Sequence, residues 1–202
     1  MFRADLVRPL HELLAEHAER RPRQPAFRDA HRSVTYAELA LRTARVAGHL
    51  AELGLQRGAR AVIYLPNRVE TVESYLAITR ASAVGVPLNP QSTDAELSFL
   101  LDDCAARMVI TGVAQLPQVR RVLVDRPGVA VVVVPDPSGP GEDHGLPRYE
   151  TLATTWSIRH PPRDDLGPDE PAWMLYTSGT TGRPKGVVST QRSSLWATGA
   201  CT

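Results

Sequence analysis

Ala130-Val131-Val132-Val133-Val134 is apolar at every position. A strand with one face in water alternates apolar and polar side chains, whereas a strand apolar throughout needs cover on both faces, as in a parallel sheet between two helical layers. Working outward, the apolar runs at 60–65, 85–88 and 108–111 have the same character, and segments of helical spacing separate them. Two helices open on capping boxes, Thr35-Tyr36-Ala37-Glu38 and Thr93-Asp94-Ala95-Glu96. The first runs to about Leu53 and closes on Gly54; the second runs to about Ala106. Asn67 is placed to cap the helix carrying Val69, Val72, Tyr75, Leu76 and Ile78. An earlier helix carries Leu10, Leu13, Leu14, His17 and Ala18 and is ended by Pro22. A short strand-turn-strand follows at 26–28 and 33–36, and 122–124 reads as a strand joined to 129–134 by a turn at Pro127-Gly128. The alternation predicts an α/β fold: a mostly parallel sheet flanked by helices, with 60–65, 85–88, 108–111 and Ala130–Val134 as inner strands.

The length of 202 residues suits one domain, and a net charge of +1 gives no electrostatic reason to expect nucleic acid or an anionic membrane surface as partner. The N-terminal residues carry charges throughout, unlike a signal peptide, and no run approaches the roughly 18 apolar residues of a membrane span. Cys104 and Cys201 lie far apart, in no metal-binding spacing, and a reducing, cytoplasmic setting is expected. The six histidines are dispersed, and no metal site is expected. Asp102-Asp103 and Asp164-Asp165 are adjacent pairs, which on a helix do not face each other. Stretches rich in Pro, Gly and Asp at 135–147 and in Pro at 160–171 place a subdomain junction near 135–171.

The segment that carries chemistry is Tyr176-Thr177-Ser178-Gly179-Thr180-Thr181-Gly182-Arg183-Pro184-Lys185-Gly186. Apolar strand-like residues precede and follow it. Its glycines allow close backbone approach to a ligand, its hydroxyls donate to anionic oxygens, and Lys185 adds a mobile cation. Lys185 is the only lysine in a chain that otherwise uses 22 arginines for positive charge. Clustered N–H groups, hydroxyls and a cation are what a polyphosphate requires. The spacing excludes a Walker A loop, because Gly179 and Gly182 are too close, Lys185 is followed by Gly186, and a strand follows instead of a helix.

The run YTSGTTGRPKGV, 176–187, resembles the signature phosphate loop of the adenylate-forming superfamily, which includes acyl-CoA synthetases, firefly luciferase and nonribosomal peptide synthetase adenylation domains. Val34-Thr35-Tyr36-Ala37-Glu38-Leu39 resembles the family's early helix start, ASAVGVPLNP at 81–90 its second core motif, and 171–175 its lead-in to the loop. The resemblance implies that the chain is the N-terminal portion of an adenylation domain. It implies ATP and Mg2+ as cofactors, a carboxylic acid as substrate, and the thiol of CoA or of a carrier-protein phosphopantetheine as acceptor. Thr177, Ser178, Gly179, Thr180, Thr181, Gly182 and Lys185 would then bind the β- and γ-phosphates. The adenine segment, the magnesium carboxylate, the ribose aspartate and the C-terminal lysine of the family have no counterpart among the 202 residues, so the isolated chain is expected to be inactive. Gln191 stands where many members have a histidine. The competing reading is a non-catalytic remnant that binds at most a phosphate-bearing ligand or a partner.

Overall fold

The computed structural model describes residues 8–136, 145–177 and 183–200. The chain begins with α1 (Leu10–Arg20), a hairpin of β1 (Pro25–Arg28) and β2 (Ser33–Thr35), and α2 (Tyr36–Glu52). It continues through β3 (Arg60–Tyr64), α3 (Val69–Arg80), β4 (Val84–Pro87), α4 (Asp94–Asp103), β5 (Ala106–Gly112), α5 (Leu116–Val122) and β6 (Ala130–Val134). A short α6 (Tyr149–Thr154) leads to β7 (Pro171–Thr177), β8 (Lys185–Thr190) and α7 (Gln191–Ala200). The main sheet has the order β6-β5-β3-β4-β7-β8; all neighbours are parallel except β7 and β8. The expected α/β fold, a mostly parallel sheet flanked by helices, is the one observed.

Period-two alternation divides each strand between two cores. On β3, Ala61 and Ile63 join Leu50 of α2, Ile78 of α3 and Tyr149 of α6, while Val62 and Tyr64 join Leu97 and Leu101 of α4 and Val119 of α5. Each of these large apolar side chains is buried, and burial of one Leu, Ile or Val contributes about 1.5–3 kcal/mol. The connections out of β3 and β4 therefore leave on opposite faces, through α3 and α4. That makes the carboxyl ends of this strand pair a topological switch point, where α/β sheets open a crevice.

Both capping boxes form: Thr35 and Thr93 each accept the N–H three residues on, and Glu38 and Glu96 reach back to the cap residue's own N–H. Three expectations need correction. Ala130–Val134 is not an inner strand but one of the two edge strands of the sheet, beside β5 alone among the long strands. Apolarity at every position reports cover on two faces and says nothing about neighbours on two edges. Residues 122–124 are not a strand: Leu116, Val119 and Val122 are buried at helical spacing on α5, which ends there. Asn67 does not cap α3. The cap comes from the β1–β2 turn, where Asp29 Oδ2 accepts the Val69 N–H at 2.8 Å. Among the described residues no helix is long and apolar enough to cross a membrane.

Candidate functional site

β7 runs parallel to β4, so it delivers the chain to the carboxyl edge of the sheet, the edge at which the switch point opens. Gly85 lies directly beside Trp173 in that pairing, and a β-carbon there would come within 3.4 Å of the indole. The chain then turns back as β8. The last rung of the antiparallel ladder sets Thr177 opposite Lys185, so the two residues flank the hydroxyl-rich segment as its entry and exit. Both are exposed. Ser178, Gly179, Thr180, Thr181 and Gly182 lie outside the described residues.

Facing residues of an antiparallel pair project to the same side. Thr177 and Lys185 therefore share a side with Leu175 and Trp173, which line an apolar cavity of about 670 Å³ together with Leu13, Phe27, Tyr36 and Tyr75. Met174 and Tyr176 project to the other side and pack on the core under α4 and α5. Gly186, opposite Tyr176, makes this possible: a β-carbon there would lie 2.0 Å from Met174 Cε and 3.3 Å from Tyr176 Cζ. The Met174 methyl could swing aside, and the ring, which lies across the strand pair, would have to give by a few tenths of an ångström. Its hydroxyl donates to Asp103 Oδ2 at 2.6 Å, and burial, followed by this donation to a carboxylate, pushes the phenol well above its usual range. Two residues before Lys185, the Arg183 guanidinium stands 5.8 Å from the centre of the Phe99 ring.

Gln191 is almost fully buried. Its Oε1 accepts the Leu10 N–H at 2.7 Å, one of the donors that α1 cannot satisfy internally, and its Nε2 donates to Leu166 O at 3.2 Å. The amide, at the start of α7, ties α1 to the segment before β7 through one acceptor and one donor. The other carboxylate pair is absorbed by arginine. Arg80 forks onto Asp164 at 2.8 and 2.7 Å, and Arg57 pairs with Asp165 at 2.8 Å. Among the described residues no three His, Cys, Asp or Glu come together as a metal site.

Tyr176, Asp103, Phe99 and Gln191 were not singled out for these roles by the sequence. Only Asp103 carried a signal, a carboxylate in the last turn of a helix that has no basic residue there.

The profile of the family described as AMP-binding enzyme matches residues 14–202. The chain is 38% identical over 190 residues to a protein of Aspergillus candidus named chalcone synthase cfoA, a match covering 91% of this chain and 7% of that protein. It is 32% identical over 194 residues to long-chain-fatty-acid–CoA ligase FadD13 of Mycobacterium tuberculosis, covering 92% of this chain and 36% of that protein. Among solved structures, MbtA of Mycobacterium smegmatis superposes with a TM-score of 0.81 at 26% identity, over 96% of this chain and 35% of its own. The chain thus spans little more than a third of the ligase relative and a small fraction of the synthase.

Proposed function

The chain belongs to the AMP-binding enzyme family, and from that premise we propose that it is the N-terminal, phosphate-binding portion of an ATP-dependent ligase that converts a carboxylic acid to its acyl-adenylate and then to a thioester. The observation that carries this reading is the Thr177–Lys185 rung, which closes a segment of four hydroxyls and two glycines with the chain's single lysine at the carboxyl edge of a parallel sheet.

The chemistry asked of these residues is electrostatic. As the acid's carboxylate attacks the α-phosphorus, negative charge builds on the departing pyrophosphate. Donors already fixed around the β- and γ-phosphates stabilise that charge without reorganising. Lys185 supplies the mobile cation; the hydroxyls of Thr177, Ser178, Thr180 and Thr181 donate; Gly179 and Gly182 let backbone N–H groups approach. ATP is the adenylate donor, and magnesium, when bound, screens the polyphosphate. The thiol that takes the acyl group belongs to CoA or to a carrier-protein phosphopantetheine. Residues 1–202 alone bind phosphate but do not adenylate, because positioning the acid against the α-phosphorus, on the order of 7–11 kcal/mol of the catalytic effect, falls to other parts of such a ligase.

The test is acid-dependent ATP–pyrophosphate exchange over a panel of aliphatic and aromatic acids, run on the full gene product that carries this chain and on residues 1–202 alone. Exchange by the first and not by the second is the expected result. No exchange by the full gene product with any acid, despite a folded protein, would sink the reading.

A further inference from the structure

We propose that Asp103, acting through Tyr176, is the positioning residue for the loop between β7 and β8, and that α4 holds both ends of that loop. The proposal rests on the phosphate-binding reading of the loop.

The first ground is a local conflict. α4 ends on Asp102-Asp103 with no basic residue in its last turn, where the helix's own partial charge is negative and a carboxylate is disfavoured. Asp102 is compensated by Arg126, which forks onto it at 2.7 and 2.6 Å. Asp103 receives instead the Tyr176 hydroxyl at 2.6 Å. A carboxylate kept against the helix field and turned onto a distant tyrosine breaks a local rule in favour of a tertiary contact, a pattern that marks functional sites.

The second ground is where that tyrosine sits. Tyr176 immediately precedes Thr177, and its ring lies over Gly186, which immediately follows Lys185. Fixing the ring's hydroxyl therefore fixes both strands of the hairpin at the rung next to Thr177 and Lys185. The third ground is Phe99, four residues before Asp103 and so on the same face of α4, which lies under Arg183 at the loop's exit. One helix face thus contacts the residue before Thr177 and the residue two before Lys185.

The experiment uses the 202-residue chain, inorganic pyrophosphate as the probe in titration calorimetry, and amide exchange at Leu175, Lys185 and Val187. Asp103→Ala and Tyr176→Phe are each expected to weaken pyrophosphate binding about tenfold and to quicken exchange at those amides. Asp103→Asn, which keeps an acceptor for the phenol, retains parental affinity. The double variant Asp103→Ala/Tyr176→Phe is no weaker than either single one, because the two groups act as a unit. The thermal midpoint of Asp103→Ala falls only slightly, since losing the phenol's acceptor is partly offset by removing a charge that the helix opposes. Lys185→Ala separates the two claims. If it leaves pyrophosphate binding intact, or if the parent chain binds none, the phosphate-loop reading fails, and the exchange rates alone then decide the latch. If Lys185→Ala weakens binding while Asp103→Ala and Tyr176→Phe change neither affinity nor exchange, the positioning role is overturned and the loop reading stands. Losses of affinity that track losses of thermal midpoint, without rescue by Asp103→Asn, also overturn it.

Discussion

Thr177 and Lys185 occupy facing positions on the final rung between β7 and β8, so a hydroxyl-bearing and an ammonium-bearing residue start from the two ends of one short crossing. Strand pairing fixes where the Lys185 side chain starts, at the sheet's carboxyl edge, and its flexible stem carries the charge from there. Removing one preorganised donor from such a site typically costs about 10²–10³ in rate. Lys185→Ala, and separately a Thr180→Ala/Thr181→Ala double change, should lower acid-dependent exchange in the full gene product by that order, with far-UV circular dichroism unaltered. Unchanged exchange in both would remove the loop from the chemistry.

Asp29 holds the start of α3 from a neighbouring hairpin. Burial works to raise its pKa, but backbone N–H groups of Val69, His31 and Arg32 outweigh burial and bring the carboxyl down to about 2. The folded value lies below the roughly 3.9 of an unfolded aspartate, so the stabilisation is complete above about pH 4 and is lost as the pH falls toward 2. Asp29→Ala should cost about 1 kcal/mol near neutral pH, the usual worth of an N-cap, and the cost should shrink through that acid window. Urea midpoints of parent and variant at several pH values check it; a difference constant down to pH 2 would contradict it.

Glu73 has no exposed side-chain surface and accepts from Arg42 Nε at 2.6 Å and from Arg32 at 2.7 Å; Arg42 also donates to Glu150 at 2.8 Å. Deleting the central carboxylate leaves two guanidinium groups short of a counter-charge in the interface of α2 with α3. Glu73→Ala should destabilise by about 3 kcal/mol. The exposed Arg121–Asp94 pair is the control, and Arg121→Ala should leave the urea midpoint unchanged.

Ala105 follows the C-cap of α4 with φ at 47°, a left-handed conformation that an L side chain resists. Ala105→Gly removes that resistance and adds some freedom to the unfolded chain. The balance should be a gain of about 0.5–1 kcal/mol, read as a higher thermal midpoint.

What the sequence disclosed was local. Thr35 and Thr93 could be recognised as caps because each motif closes within three residues, and the hydroxyl-rich loop could be recognised because its groups are consecutive. The fold class followed from the faces of the strands. The outer position of Ala130–Val134 did not, because periodicity records which side chains are covered and not which strand lies alongside. The cap on α3 was attributed to Asn67, a neighbour, when it comes from Asp29, 40 positions before Val69. Tyr176 and Asp103 are 73 positions apart, and nothing local to either residue names the other as its partner. Helical spacing at Leu116, Val119 and Val122 was present but masked by β-branched residues, which suggest strand.

The Leu10–Gln191 hydrogen bond spans 181 positions. The first helix can form and dock on α2 early, with the Glu12 and Leu13 N–H groups bonded to Pro9 O, but the Leu10 N–H has no protein acceptor until α7 has begun. At about 5–20 residues per second, a nascent chain waits on the order of ten to forty seconds between making the donor and making its acceptor. Throughout that interval the Leu10 N–H must turn to water, so this amide contact joins the earliest helix to one of the last elements of the chain to be made.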